Sequence, residues 1–226
     1  MPNFAGKQNL VLNKPIFHTE NNFNLVKNKD NSMTIGSRKK KFNNPEKEKK
    51  VNTKNLIVNY KLNEGSGTTI ADSGTLGLEL TSQVASWDNN FGRNVYELSA
   101  TNNAYLTIGS SENSNIKKLK TFFRRSFTIS YWAKFDSDSL SNDNLIFSLK
   151  QDSSNHIYVG IDSSERVIFG SGTDTMATKL RNNIKITDWN NYTFTYNKRN
   201  KLRTIYINGK RIRSDRTQAF NIPTPT

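Results

Sequence analysis

The chain has 226 residues, with 33 Lys/Arg against 19 Asp/Glu, a formal net charge of +14 and no cysteine. That excludes a disulfide framework and thiolate-held zinc or iron–sulfur sites, and no apolar run approaches the roughly 18–20 residues of a membrane span. The positive surplus favours acidic partners: nucleic acid, an anionic membrane surface or an acidic protein.

Residues 1–54 read as an extended, basic N-terminal docking arm. They hold 12 Lys/Arg against 4 Asp/Glu, so the arm is far more basic per residue than residues 55–226. Short apolar groups, Leu10 with Leu12, Ile16-Phe17, Phe23 and later Phe42, are separated by Asn- and Lys-rich spacers. Such spacing cannot bury enough apolar area to fold alone. It suits a strap whose anchors enter separate pockets of a partner. Arg38, Lys39, Lys40 and Lys41 would add a salt-sensitive attraction. The first residues, Met1 to Phe17, lack the charged-then-apolar layout of a signal peptide. The expectation is therefore an intracellular chain.

The pattern changes at Asn55, and residues 55–226 read as one β-sandwich domain. Leu56, Val58, Tyr60 and Leu62 alternate and predict a first strand, ended by Glu64-Gly65-Ser66-Gly67. Asp72-Ser73-Gly74 marks a second turn. Short strands are next expected at Leu78–Ser82, near Ala85–Trp87, at Asn94–Leu98 and at Tyr105–Ile108. Residues 110–125 are polar and basic, with one helical turn expected at Ile116–Leu119. The longest clean signal is Ser126 to Phe135. Phe127, Ile129, Tyr131, Ala133 and Phe135 fall on one face; Thr128, Ser130, Trp132 and Lys134 fall on the other. Trp132 implies that the second face is partly covered, which places this strand inside a sandwich and not at an edge.

Strands are then predicted at Asn144–Lys150, His156–Asp162, Arg166–Gly170, Thr178–Ile186, Tyr192–Asn197 and Arg203–Ile207. Asn208-Gly209, between Ile205-Tyr206-Ile207 and Lys210-Arg211-Ile212, predicts a type I′ hairpin turn. About ten short strands without a long helix predict an all-β fold, an antiparallel β-sandwich.

Four stretches in order carry a resemblance. They are Tyr60 to Gly67 with Asp72-Ser73-Gly74; Ser126 to Lys134; Trp189 to Tyr196; and Ile205 to Lys210. Together they resemble the laminin-G-like, concanavalin A-like lectin/glucanase superfamily, which implies a jelly-roll sandwich. Two features depart from it. The closing strand that usually comes after the Asn-Gly hairpin is missing, because the chain runs into Phe220-Asn221-Ile222-Pro223-Thr224-Pro225-Thr226, where prolines oppose pairing. Either the sandwich closes differently, or the chain is a fragment, or another chain supplies the strand. The basic arm is the other departure.

The superfamily includes glycosidases, which in the retaining case need two carboxylates roughly 5 Å apart. The Glu-x-Asp-x-Glu run that the hydrolases carry is absent, so the expectation is a protein that is not an enzyme. Asp136 and Asp138 share its spacing but lie at a strand end. His18 and His156 are distant in sequence, and His156 reads as structural. With Asp143, Asp136 and Asp138 make a loop dense in the hard oxygen ligands that calcium prefers; a calcium site would fall there, although a polar turn explains the same residues. Trp87, Asn89, Asn90 and Tyr105 are the pieces available for a sugar site, with Trp87 and Trp189 equally suited to a core. Lys198, Arg199, Lys201 and Arg203 with Lys210, Arg211, Arg213 and Arg216 make one basic patch or an ordinary solvated face. Aromatic interleaving typical of single-strand binders is absent, so specific nucleic acid is not an expected partner.

Two functions fit. One is a structural or interaction protein tethered by its arm to other proteins of a large assembly. Abundant Asn and Lys, with no cysteine and no leader, point to a minor capsid protein in the virion of a large DNA virus. The alternative is a carbohydrate-binding surface module, with or without calcium.

Overall fold

The computed structural model describes residues 9–13, 24–27, 33–36, 56–82, 86–90, 93–99, 105–108, 114–135, 143–180 and 184–217. The chain divides into two units, Met1–Pro15 with Leu56–Thr226, and Ile16–Asn55. In the second unit β2 (Asn24–Lys27) pairs antiparallel with β3 (Met33–Gly36) as a hairpin.

The first unit is an antiparallel β-sandwich. One layer has seven strands in the order β16-β15-β14-β9-β1-β7-β6, and the other has four in the order β10-β11-β12-β13. The seven are β1 (Asn9–Asn13), β6 (Trp87–Asn90), β7 (Arg93–Ser99), β9 (Phe127–Phe135), β14 (Asn190–Asn197), β15 (Leu202–Ile207) and β16 (Lys210–Arg216). The four are β10 (Asn144–Lys150), β11 (His156–Ile161), β12 (Arg166–Ser171) and β13 (Asp174–Lys179). Three short strands, β4 (Thr69–Ile70), β5 (Leu80–Ser82) and β8 (Leu106–Ile108), make a third sheet.

Alternation explains the layers. Tyr192, Phe194 and Tyr196 of β14 are buried beside Ile205 and Ile207 of β15, and they meet Val159, Ile161, Val167 and Phe169 of the smaller sheet in one core. Aromatic rings fill it edge-on and stacked. Phe194 lies at 5.6 Å from Phe169, and Tyr131 stacks on Tyr192 at 5.5 Å. β9 sits between β14 and β1, inside the sheet and not at an edge, as expected; its Thr128 and Ser130 are exposed. At one end the interior continues under helix α1 (Ser114–Phe123), whose Ile116, Leu119, Lys120 and Phe123 are buried. That is i, i+3, i+4, i+7 spacing, so the single helical turn expected at Ile116–Leu119 is a ten-residue helix.

Two predicted strands are corrected. Residues 56–62 form no strand; only Tyr60 makes an isolated bridge, to Asp72. The Asp72 carboxylate accepts the N–H groups of Asn59, Gly74 and Leu78, and the carbonyls of Leu56, Ile57 and Asn59 accept from residues 73–76. The backbone is satisfied by a turn, and Leu62 at φ 52 then redirects the chain. The strand expected at Thr178–Ile186 is β13, which begins earlier at Asp174 and ends at Lys179. Gly172, at φ 57, makes the turn after β12 so tight that pairing resumes at once.

The Asn208-Gly209 hairpin is as predicted. Both residues have positive φ, 49 and 74, which is type I′ geometry. One strand of the large sheet comes from the N-terminal end of the chain. β1 pairs antiparallel with β7 on one side and β9 on the other. Leu10 stands in register with Leu98 and Phe135, and Leu12 with Tyr96 and Ala133.

Candidate functional site

The outward face of β9, β14, β15 and β16 is organised by register. Thr128, Thr195, Thr204 and Ser214 form one row across the four strands, and Ser130, Thr193, Tyr206 and Arg211 form the next. Trp132 and Asn191 begin a third row, with Lys134 beyond it. Threonine and serine suit a pleated surface; Thr128, Ser130 and Ser214 are exposed, Thr193 and Thr195 are half-buried and Thr204 is buried. The same alternation that buries Phe194 and Ile205 turns Thr193, Thr195 and Thr204 to the other side.

Hydrogen bonds lock the middle of this face. Thr193 Oγ1 donates to Asn191 Oδ1 at 3.0 Å, and Asn191 Nδ2 donates to Ser130 Oγ at 3.3 Å. Ser130 Oγ and Thr193 Oγ1 are 2.8 Å apart. Thr193 has a single hydroxyl proton, already used on Asn191, so Ser130 must donate to Thr193. The three side chains form a closed ring of donors. Their remaining capacity is lone pairs, which accept hydrogen bonds from a bound partner. Asn191 is further held by Nδ2 on the Tyr131 carbonyl and by its N–H on Asn208 Oδ1. In the neighbouring row Ser214 Oγ donates to Thr204 Oγ1 at 3.0 Å. Half-exposed Tyr206 offers a ring beside this acceptor surface, with Arg211 and Arg216 exposed along the edge strand. Lys134 approaches the Trp189 ring at 6.0 Å.

A family model described as the concanavalin A-like lectin/glucanases superfamily matches residues 100–225, more than half of the chain. The chain belongs to that superfamily. No curated protein matches. Among solved structures, the chain is similar to the Ruminococcus gnavus IT-sialidase CBM40, with 17% identity and a TM-score of 0.34. That match spans 50% of this chain and 63% of the other.

Superfamily members that cut glycosidic bonds need paired carboxylates across the bond. The outward rows of β9, β14, β15 and β16 carry hydroxyls, amides, Leu202, Tyr206, Trp132 and cations, without a carboxylate. The domain is a lectin-like β-sandwich of this superfamily. Among the described residues, no group of three or more His, Asp or Glu is placed to hold a metal ion.

The sequence-derived sugar residues are split between sheets. Trp87 opens β6 at an edge of the large sheet; its Nε1 donates to the Gly67 carbonyl at 2.9 Å and its ring meets Tyr96 edge-on at 4.8 Å. Asn89 is exposed on the same strand, where Asn90 also lies. Tyr105, 52% exposed, precedes β8 in the three-stranded sheet. Asp143 is exposed before β10, whereas Asp136 and Asp138 lie outside the described residues. Of the arm residues, Leu10 and Leu12 fall in β1; Ile16, Phe17, Phe23, Arg38, Lys39, Lys40, Lys41 and Phe42 lie outside the described residues. His156 Nε2 is 2.9 Å from Ser148 Oγ, and burial, then the Lys150 charge, holds its pKa below the usual histidine range. His18 lies outside the described residues.

The basic patch loses one member. Arg203 is 2% exposed and joins the two large sheets. Its Nε donates to Asp215 at 2.6 Å, Nη2 to Asp174 at 2.5 Å, and Nη1 to the Phe169 and Asp174 carbonyls at 3.1 and 3.0 Å. Its register partner across β14 is Tyr196, an inward position. With Nη2 also reaching Asp215 Oδ2 at 3.4 Å, all five donors find acceptors, which is what lets a charge survive there. The outward hydroxyl rows were missed by sequence reasoning. Their signal was present: Thr or Ser stands at outward positions of all four strands.

Proposed function

We propose that the protein is a carbohydrate-binding surface module whose site is the outward face of β9, β14, β15 and β16. The observation that carries this reading is the closed Ser130–Thr193–Asn191 ring on a sheet of a lectin superfamily. Sugar hydroxyls donate hydrogen bonds, and this ring offers acceptors already fixed in place. Tyr206 supplies a ring on which a sugar's apolar face can rest. The net charge of +14, with Arg211 and Arg216 along the edge, selects an acidic glycan, sulphated or carboxylated. Calcium belongs to this reading as an accessory held by Asp136, Asp138 and Asp143, and chelation tests it separately.

A glycan array probed with the full chain is the test, with Tyr206→Ala and Thr193→Val beside it. Retention on acidic glycans, reduced about tenfold or more by each substitution, is the expected result. An array without signal, or signal unchanged in both variants, contradicts the site.

A second reading rests on the concentration of basic residues in 1–54. It makes the arm a tether to other proteins of a large assembly, a virus capsid in the reading drawn from composition. Co-sedimentation with a large particle that is lost at high salt supports it. Recovery only as a small soluble species contradicts it.

A further inference from the structure

β1 is short, lies far from its neighbours in sequence, and is flanked by strands on both sides. Its five residues make four register pairs with β7, Asn9↔Ser99 to Leu12↔Tyr96, and four with β9, Leu10↔Phe135 to Asn13↔Trp132. β9 is otherwise paired with β14, and β7 with β6. Without β1, the large sheet would present two facing open edges one strand-width apart, each with unpaired N–H and C=O groups. The space is therefore shaped for a single extended segment, antiparallel to both walls.

Main-chain hydrogen bonds do not distinguish which copy of the chain supplies the segment. Residues 14–55 separate β1 from the rest of the sandwich, and Ile16–Asn55 forms a unit of its own. A connection of that length reaches on the order of 100 Å when drawn out, further than the radius of such a domain. Reach does not confine β1 to its own copy.

We propose that the slot between β7 and β9 is a strand-accepting site whose second occupant is the Asn9–Asn13 segment of another copy, so that copies are linked by exchanged strands. The register is the same in both forms. Tethering sets a millimolar effective concentration for the intramolecular form, so the exchanged form gains ground where copies are crowded to that level. With +14 on each copy, exchange needs salt: at about 0.15 M the charges are screened beyond roughly 8 Å. This inference does not rest on the glycan reading. It concerns the main-chain pairing edges of β7 and β9 and not the outward face, and each stands if the other fails.

The absence of native cysteine makes a clean test. Directly opposed residues of antiparallel strands lie within disulfide range. The full chain is made as two single variants, Val11→Cys and Lys134→Cys, each with a different tag, and as the double variant. A second set uses Asn9→Cys and Ser99→Cys, on the other wall of the slot, in case Lys134→Cys disturbs folding. Thr128→Cys, on β9 but out of register with Val11, is the control. Mild oxidation of mixed single variants is expected to give mixed-tag covalent dimers whose yield rises steeply toward millimolar protein. Dimers with Thr128→Cys should be at least tenfold fewer. The double variant should close within one chain at micromolar protein. Closure of the double variant with no mixed-tag dimer at any concentration overturns exchange. Failure of both sets to close within one chain overturns the slot itself.

Discussion

The two large sheets use the same kind of strand but assemble differently. In the four-stranded sheet every neighbour is also the next strand in the chain, β10-β11-β12-β13. Its turns are local. Asp152 accepts the N–H groups of Ser154 and Asn155, and Asp162 those of Ser164 and Arg166. The seven-stranded sheet brings together β1, β7, β9 and β14, whose order is set by long-range pairing. Local pairing is specified by turn chemistry, and distant pairing only by the fit of a whole face. A fold can thus be rigid where its neighbours are consecutive and exchangeable where they are not.

The largest effect is expected where the two sheets are joined. Arg203→Ala removes the guanidinium that reaches Phe169 and Asp174 from β15 and leaves Asp174 and Asp215 without it. Breaking a buried pair costs roughly 3–5 kcal/mol. The side chains of Asp174 and Asp215 are 37% and 29% exposed, so the lower end, about 3 kcal/mol, is expected in urea unfolding. Both sheets should lose protection together.

Gly160→Ala should weaken the local sheet first. A Cβ at that position would stand 2.1 Å from the Asn144 carbonyl oxygen, where β10 carries its bulge between Leu145 and Phe147. The obstacle is backbone, so a loss of roughly 2–3 kcal/mol is expected, with hydrogen exchange rising in β10 and β11 before β14. Val11→Pro attacks the other sheet. It removes one ladder donor and leaves a carbonyl unpaired. A loss of about 1–3 kcal/mol is expected, with exchange rising in β7 and β9 and unchanged in β12. Equal exchange in both sheets for either variant would erase the contrast.

The same division separates what was legible in the sequence from what was not. The bounds of β10, the start of β11, the β14–β15–β16 run and the Asn208-Gly209 turn came from alternation and turn residues alone. The superfamily resemblance rested only partly on those segments, through Trp189 to Tyr196 and Ile205 to Lys210. β1 was not legible as a strand of the sandwich. Leu10 and Leu12 alternate, but nothing near them names Tyr96 or Ala133 as register partners. Residues 56–62 failed for the opposite reason: they alternate, yet the Asp72 carboxylate captures their neighbourhood in a turn. Lys-Arg spacing could not separate Arg203 from its exposed neighbours, because its acceptors come from β12, β13 and β16. The outward face was half legible. Thr128, Ser130, Trp132 and Lys134 were assigned to it, but its rows exist only once strands are in register.

Acid should separate the regions more gently. Burial raises the Asp162 pKa, but hydrogen bonds from the Arg166 side chain and the N–H groups of Arg166 and Ser164 outweigh it and hold it below the ordinary carboxylate value. Asp174 behaves in the same way, with Thr217 and Arg203 as donors. A depressed carboxylate stabilises above its unfolded value, and that contribution is lost as pH falls below about 4. His156, held low by burial, should contribute a shallower loss beginning at about pH 6.5. His156→Gln is expected to remove the first limb of a stability–pH curve and Asp162→Asn to soften the second. The smallest effect on stability, within about 0.5 kcal/mol, is expected for Tyr206→Ala on the outward face.

The most direct measurement is amide chemical-shift mapping of the full chain titrated with a sulphated oligosaccharide. Saturable shifts confined to residues 128–134, 191–197, 204–206 and 211–216 are expected, with their loss in Thr193→Val. Saturable shifts centred on β6 or on the turns of the four-stranded sheet, with the outward rows unmoved, would contradict it.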